Sequence, residues 1–198
     1  MKARQILPIA LLVLILGPAT LRLLDRPEPP PAVLVARAPE PRIEPPPATP
    51  DAWFERVHLR CTPAEVRLTT DLLPPPEGVE GTGYESACFA LAGKIPDARA
   101  LLLGLPEGDR IRGATQVYDV ARALADQGRH DAAGPLMELV LEFWPNHYLA
   151  LYEAATARYR SGDIIGARSF LERFLEVHRN QDDLEVEAQR MLSGAPER

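Results

Sequence analysis

The feature that most constrains this chain is a self-similarity at a shift of 34 residues. When residues 114–147 are laid on 148–181, Gly128 falls on Gly162, Ala133 on Ala167 and Ala121 on Ala155. Val117 falls on Leu151 and Leu136 on Phe170. Each unit carries small and apolar residues at helical spacing, a glycine-centred turn and a second apolar stretch, which predicts two helices per unit. A period of this length implies stacked hairpins, because one hairpin cannot bury its own apolar face and about three are needed for stability.

A degenerate unit precedes the other two, at about residues 81–107. Tyr84-x2-Ala87-Cys88-x2-Leu91 has the spacing of a first helix, with Cys88 in the small-residue place of Ala121 and Ala155. Gly93-x4-Ala98 repeats the turn, so this unit reads two residues shorter between its halves, and Leu105-Pro106 ends its second helix early. Upstream, Thr62-Pro63-Ala64-Glu65 reads as a capping box with proline at the first helical position, opening a helix to Leu73. Downstream, residues 182–193 read as a capping helix, with Leu184, Ala188, Met191 and Leu192 inward and Glu185, Glu187 and Arg190 outward. No alternating strand pattern runs through residues 51–198.

On these residues the chain resembles the tetratricopeptide repeat family. The likeness rests on Val117, Ala121, Gly128, Ala133 and Pro145 in one unit and Leu151, Ala155, Gly162 and Ala167 in the next. It covers about residues 84–181. Arg158, where an apolar residue is expected, and Arg179, in place of the closing proline, depart from the pattern. The resemblance implies an all-α fold: a short right-handed α-solenoid of about three hairpins. It also implies a groove along the first helices that binds a protein or peptide. Tyr118, Arg122, Tyr152, Thr156, Tyr159 and Arg160 would line it, with Tyr118 and Tyr152 in equivalent places. Tyrosine and arginine suit interface anchors; the plainer reading makes the two tyrosines half-buried fillers between hairpins.

The N-terminal quarter is of another kind. Lys2 and Arg4 precede sixteen uncharged residues, 6–21, the opening of a secretory signal or a signal anchor. The run is near the short limit of about 17 residues for a span, so residues 1–24 read as a transmembrane anchor or a cleaved signal peptide. No cysteine follows it, which excludes a bacterial lipoprotein. The flanking charges leave the positive excess inside, placing the remainder on the periplasmic side of a cell envelope. Ten of the 21 prolines fall between Pro27 and Pro50. Proline lacks the amide donor that helix and sheet interiors need, so residues 25–50 read as a disordered, extended arm, reaching roughly 75 Å as polyproline II. The arm as a PxxP ligand is the lesser alternative.

Charge and motif bound the chemistry. Residues 51–198 hold 16 basic and 24 acidic side chains, a formal charge of −8, which disfavours nucleic acid. Cys61 and Cys88 are the only cysteines; a disulfide and two free thiols both remain open. His58 with the two cysteines makes too small a set for structural zinc, and His130, His147 and His178 read as solvated caps at helix ends. No nucleophile elbow, metalloprotease or phosphate-loop motif occurs, so neither cofactor, metal, small-molecule substrate nor catalytic residue is expected. The expected function is protein–protein interaction, as a scaffold or assembly factor of the envelope. An accessory subunit of an envelope enzyme, or a spacer without a groove ligand, are the alternatives.

Overall fold

The computed structural model describes residues 47–194. The expected membrane segment 1–24 and nearly all of the proline-rich stretch 25–50 lie outside them. Every regular element among the described residues is helical. In order they are α1 (Pro50–Val57), a 3-10 turn (His58–Arg60), α2 (Val66–Leu72), α3 (Val79–Leu91) and α4 (Ile95–Gly104). A second 3-10 turn (Glu107–Asp109) precedes α5 (Arg110–Asp126), α6 (His130–Phe143), α7 (Tyr148–Arg160), α8 (Ile164–Val177) and α9 (Asp183–Ser193). No described helix is long and apolar enough to cross a membrane.

Six of these helices form three hairpins, α3–α4, α5–α6 and α7–α8, and the hairpins share one turn. Gly93, Gly128 and Gly162 have φ of 70°, 75° and 85°, a left-handed backbone that costs glycine nothing extra. At each turn the glycine N–H bonds back three residues, to Ala90, Ala125 or Tyr159. The next N–H bonds back five, to Phe89, Leu124 or Arg158. This is the Schellman closure, which satisfies carbonyls that a helix end leaves bare.

The turns fix the register of everything around them. Five residues after each glycine stands Ala98, Ala133 or Ala167, exposed by 1% or less. Nine residues after it stands Leu102, Met137 or Leu171, equally covered. Seven residues before it stand Ala121 and Ala155 and, in the first hairpin, Ser86, all at 0%. The small residue of the first unit is therefore Ser86, not Cys88, and the unit is not shortened between its halves. A serine fits a close helix crossing because it is small, and its hydroxyl donates to the Ala98 carbonyl at 3.0 Å.

Within the second and third hairpins α5 packs along α6 and α7 along α8; the first hairpin meets the second chiefly through α3 and α5, and the second meets the third through α6 and α7. The α3–α5 crossing is close: a Cβ on Gly83 would come within 2.5 Å of the Gly113 carbonyl oxygen. Gly83 occupies the register that Tyr118 and Tyr152 hold in the other hairpins. Val117, Leu151, Leu136, Val140 and Phe174 fill the spaces between helices at 1% exposure or less. Arg158 enters no core: its guanidinium bridges Glu138 and Asp163, which explains how a cation stands where the repeat calls for an apolar side chain.

Two segments flank the array. At the end, α9 covers α7 and α8 through Ala188 and Met191, capped by the Asp182 carboxylate on the Glu185 N–H at 3.1 Å. Arg190 is not outward as the spacing suggests; its side chain is only 15% exposed and pairs with Glu187. At the start, α1, the first 3-10 turn and α2 form a strap over α3. Trp53 is wholly buried, and its indole Nε1 donates to the Leu73 carbonyl at 2.8 Å. Burying an indole stabilises by about 5 kcal/mol gross, at about 25 cal/mol per Å². The capping box forms differently from the expectation: helix begins only at Val66, and the Thr62 hydroxyl donates to the Glu65 carboxylate instead of accepting an amide. Cys61 and Cys88 are joined by a disulfide, tying the strap to α3 across 27 residues of sequence.

Candidate partner-binding face

The first helices of the hairpins turn one side to their partner helices through Ser86, Ala121 and Ala155. Other sides of α5 and α7 carry the residues singled out in the sequence, and the structure distributes them unevenly. Tyr118 is buried, with its ring centroid 4.2 Å from that of His147. Arg122, one turn on, is 57% exposed; it donates to the Tyr118 hydroxyl at 3.4 Å and faces Asp126 at 3.9 Å. On α7, Tyr152 is half-buried against Phe174, and Thr156 Oγ1 donates to the Tyr152 carbonyl. Tyr159 is half-buried, and Arg160 is exposed. Burial raises the phenol pKa of Tyr118 and Tyr152 above its ordinary value. The rings thus fill joints between hairpins, while the guanidinium of Arg122 and the side chain of Arg160 reach solvent.

The two equivalent tyrosines meet different neighbours because the chain re-enters each hairpin differently. Ahead of α7, His147 Nδ1 accepts the Ala150 N–H at 3.1 Å and so caps the helix. Its ring sits between Tyr118 and Trp144, whose centroids lie 4.2 and 4.3 Å away. After α8, His178 stacks on Tyr148 and on Phe174, and its Nε2 lies 2.8 Å from Asp182 Oδ2. A chain of rings therefore runs from Tyr118 through His147, Tyr148, His178 and Phe174 to Tyr152. The sequence reading of these histidines as solvated caps is corrected: His147 is 9% and His178 5% exposed, because aromatic rings cover them. Burial depresses the His147 pKa, because desolvation disfavours the charged imidazolium, while the nearby Asp119 opposes the shift.

His130 is also drawn in. Its Nδ1 lies 3.3 Å from Glu153 Oε2, without the alignment of a hydrogen bond. Burial raises the Glu153 pKa, and His130 opposes the shift. Glu153 stands nine residues before its turn glycine, the register also held by Tyr84 and Asp119.

That register opens a second feature. Between the strap and helices α3 and α5 lies a groove of about 750 Å³, with Phe54, Tyr84, Leu91, Asp119, Ala123 and Leu124 among its walls. Phe54 stacks on Tyr84 with centroids 5.2 Å apart. Sequence reasoning missed this groove and α1 with it. Eight residues opening on Pro50 carry little periodicity of their own, and only the pairing of Trp53 and Phe54 on a basic-acidic background hinted at a docked helix. Among the described residues, no group of three or more His, Cys, Asp or Glu comes together as metal ligands.

No family model matches the sequence, and a search of curated proteins returned no match.

Proposed function

We propose that this chain is a tetratricopeptide-like protein-binding module, held at a membrane by its N-terminal apolar segment and set off from it by the proline-rich arm. In this reading the three hairpins form a short α-solenoid on the outer side of a bacterial-type inner membrane. The protein acts there as a scaffold or assembly factor rather than as a catalyst. The partner is a protein or peptide that lies along α5 and α7, contacting Arg122, Thr156, Tyr159 and Arg160. Tyr118 and Tyr152 support those contacts from below.

One observation carries the reading: three hairpins repeat the same closure at Gly93, Gly128 and Gly162. The reading is supported by the exposed Arg122 and Arg160 on α5 and α7, which stand near tyrosines packed into the joints between hairpins. Exposed arginine over half-buried tyrosine is the composition of an interface anchor. The test is site-specific photo-crosslinking of the full-length chain in its own membranes. Probes at Arg122 and Arg160 should form a discrete adduct that probes at Arg168 and Glu172 on α8 do not. Equal labelling from both helices, or none from α5 and α7, would remove this face as the partner site.

A further inference from the structure

The strap is built unlike the rest of the molecule. Its two helices, α1 and α2, are eight and seven residues long, well under the roughly 12–15 at which an isolated helix is even marginal in water. The outer side of α2 leaves Leu68 61% and Leu72 75% exposed, so this helix buries one edge only. The Trp53–Leu73 hydrogen bond closes the strap on itself and not on the hairpins. Against the hairpins it has Trp53, Val57 and Val66 buried in the common core, the Phe54–Tyr84 stack, Arg67 over the Phe89 ring and paired with Asp97 at 3.0 Å, and the Cys61–Cys88 bond. Under its other edge lies the open groove, with Cys61 in its wall.

We propose that the Cys61–Cys88 disulfide is a redox latch: oxidised, it holds the strap on α3 and so forms the groove; reduced, it lets the strap go while the hairpins stay folded. The inference goes beyond the binding reading and does not depend on it. Three points of topology support it. The bond joins the turn between α1 and α2 to the last turn of α3, so it constrains both short helices at once. Cys88 is wholly covered but Cys61 borders the groove, so a thiol has an approach to one sulfur and not the other. Finally, none of the three hairpin turns or their small-residue crossings lies in the strap.

The chemistry is thiol–disulfide exchange with a dithiol reductant, either a small molecule or a thioredoxin-like protein. One thiolate of the reductant attacks Cys61 Sγ; the Cys61–Cys88 bond breaks and its electron pair leaves on Cys88, which takes up a proton. The second thiolate of the reductant then displaces Cys61 Sγ as a thiolate, which is protonated. Two electrons pass to the protein, giving two thiols, and the reductant leaves as its cyclic disulfide.

The experiment is hydrogen exchange of the full-length chain in detergent micelles, oxidised and after dithiothreitol, with reduction verified by intact mass. Closing a loop of this length favours the docked state by a factor on the order of a hundred or more, so exchange across residues 50–73 should rise by that order on reduction. Residues 114–177 should keep their protection. The double variant Cys61→Ala, Cys88→Ala, measured without reductant, should reproduce the pattern. Three results would overturn the proposal: protection of 50–73 that survives reduction, protection lost across all hairpins together, or a bond that dithiothreitol cannot reach in the folded chain.

Discussion

The hairpins across residues 79–177 and the strap across residues 50–73 both bury apolar side chains completely, yet they are secured by different means. In the hairpins a small residue recurs at each crossing, with Ala98, Ala133 or Ala167 on the second helix and a large apolar residue, Leu102, Met137 or Leu171, one turn on. Each module therefore rests on its neighbours, and losing one contact is felt by all. In the strap, Trp53 and Val57 are covered as fully as any core residue. They belong, however, to one short helix that no neighbour repeats, and one covalent bond in the turn after it and a few side chains hold it down. Periodic packing gives cooperative stability, whereas a stapled segment can open by itself.

Truncating one large buried ring in each region separates the two most strongly. Phe174→Ala should cost about 3–5 kcal/mol in a denaturant titration, because the cavity lies between α7, α8 and the ring chain. Trp53→Ala removes an equally buried ring. Its loss should appear as faster exchange of residues 50–73, with less than about 1 kcal/mol of shift in the unfolding of the hairpins. A full-sized shift there would make strap and hairpins one cooperative unit.

The turns come next in size. Gly128→Ala and Gly162→Ala place a side chain in the left-handed region, so each should lose about 1–2 kcal/mol by thermal unfolding. Because the closure is common to both hairpins, the losses should match; a marked inequality would weaken the equivalence of the two units.

The His147 cap predicts a pH dependence confined to the joint between the second and third hairpins. Burial holds the folded-state pKa below the ordinary value of about 6.5, so the unfolded chain takes the proton first. The contribution is complete above that pH and is lost as pH falls through it toward the folded-state value. Asp119, Tyr118 and Tyr148 face the ring, and only Asp119 favours its protonation. His147→Asn keeps an acceptor for the Ala150 N–H and should flatten the acid side of the stability curve. Its cost at pH 8 should be about 1 kcal/mol or less. An unchanged acid slope would place the titration elsewhere.

Smallest of all is Arg158→Met. The guanidinium is 40% exposed between two carboxylates, and solvent screens such pairs. Urea unfolding should move by less than about 1 kcal/mol.

Much of the array was legible in the sequence because its physics is periodic. Glycine, alanine and large apolar residues recur at one spacing, and each recurrence is evidence for the others. The first hairpin was read with Cys88 in the wrong register because cysteine is small and apolar, while the residue actually at the crossing, Ser86, hides its polarity in a bond to the Ala98 carbonyl. In the strap only the helix that ends near Leu73 could be read, from its capping signal; α1 was illegible for the opposite reason, since it has no repeat and Trp53 is fixed by a carbonyl twenty residues away. The histidines looked like solvated caps because nothing local shows that Tyr118, Trp144 and Phe174 converge on them. Of the candidate partner-binding face, Arg122 and Arg160 could be picked out through the resemblance to the repeat family, and both are exposed. The groove beside it depends on the strap and could not.

The equivalence of the three hairpins is tested most directly by the backbone conformation at Gly93, Gly128 and Gly162, read from NMR chemical shifts and three-bond couplings of the isotope-labelled full-length chain. The account predicts a left-handed φ at all three, each between a helix that ends one or two residues earlier and one that begins within two residues after. A right-handed or extended backbone at any of them, with helix running through the turn, would contradict it.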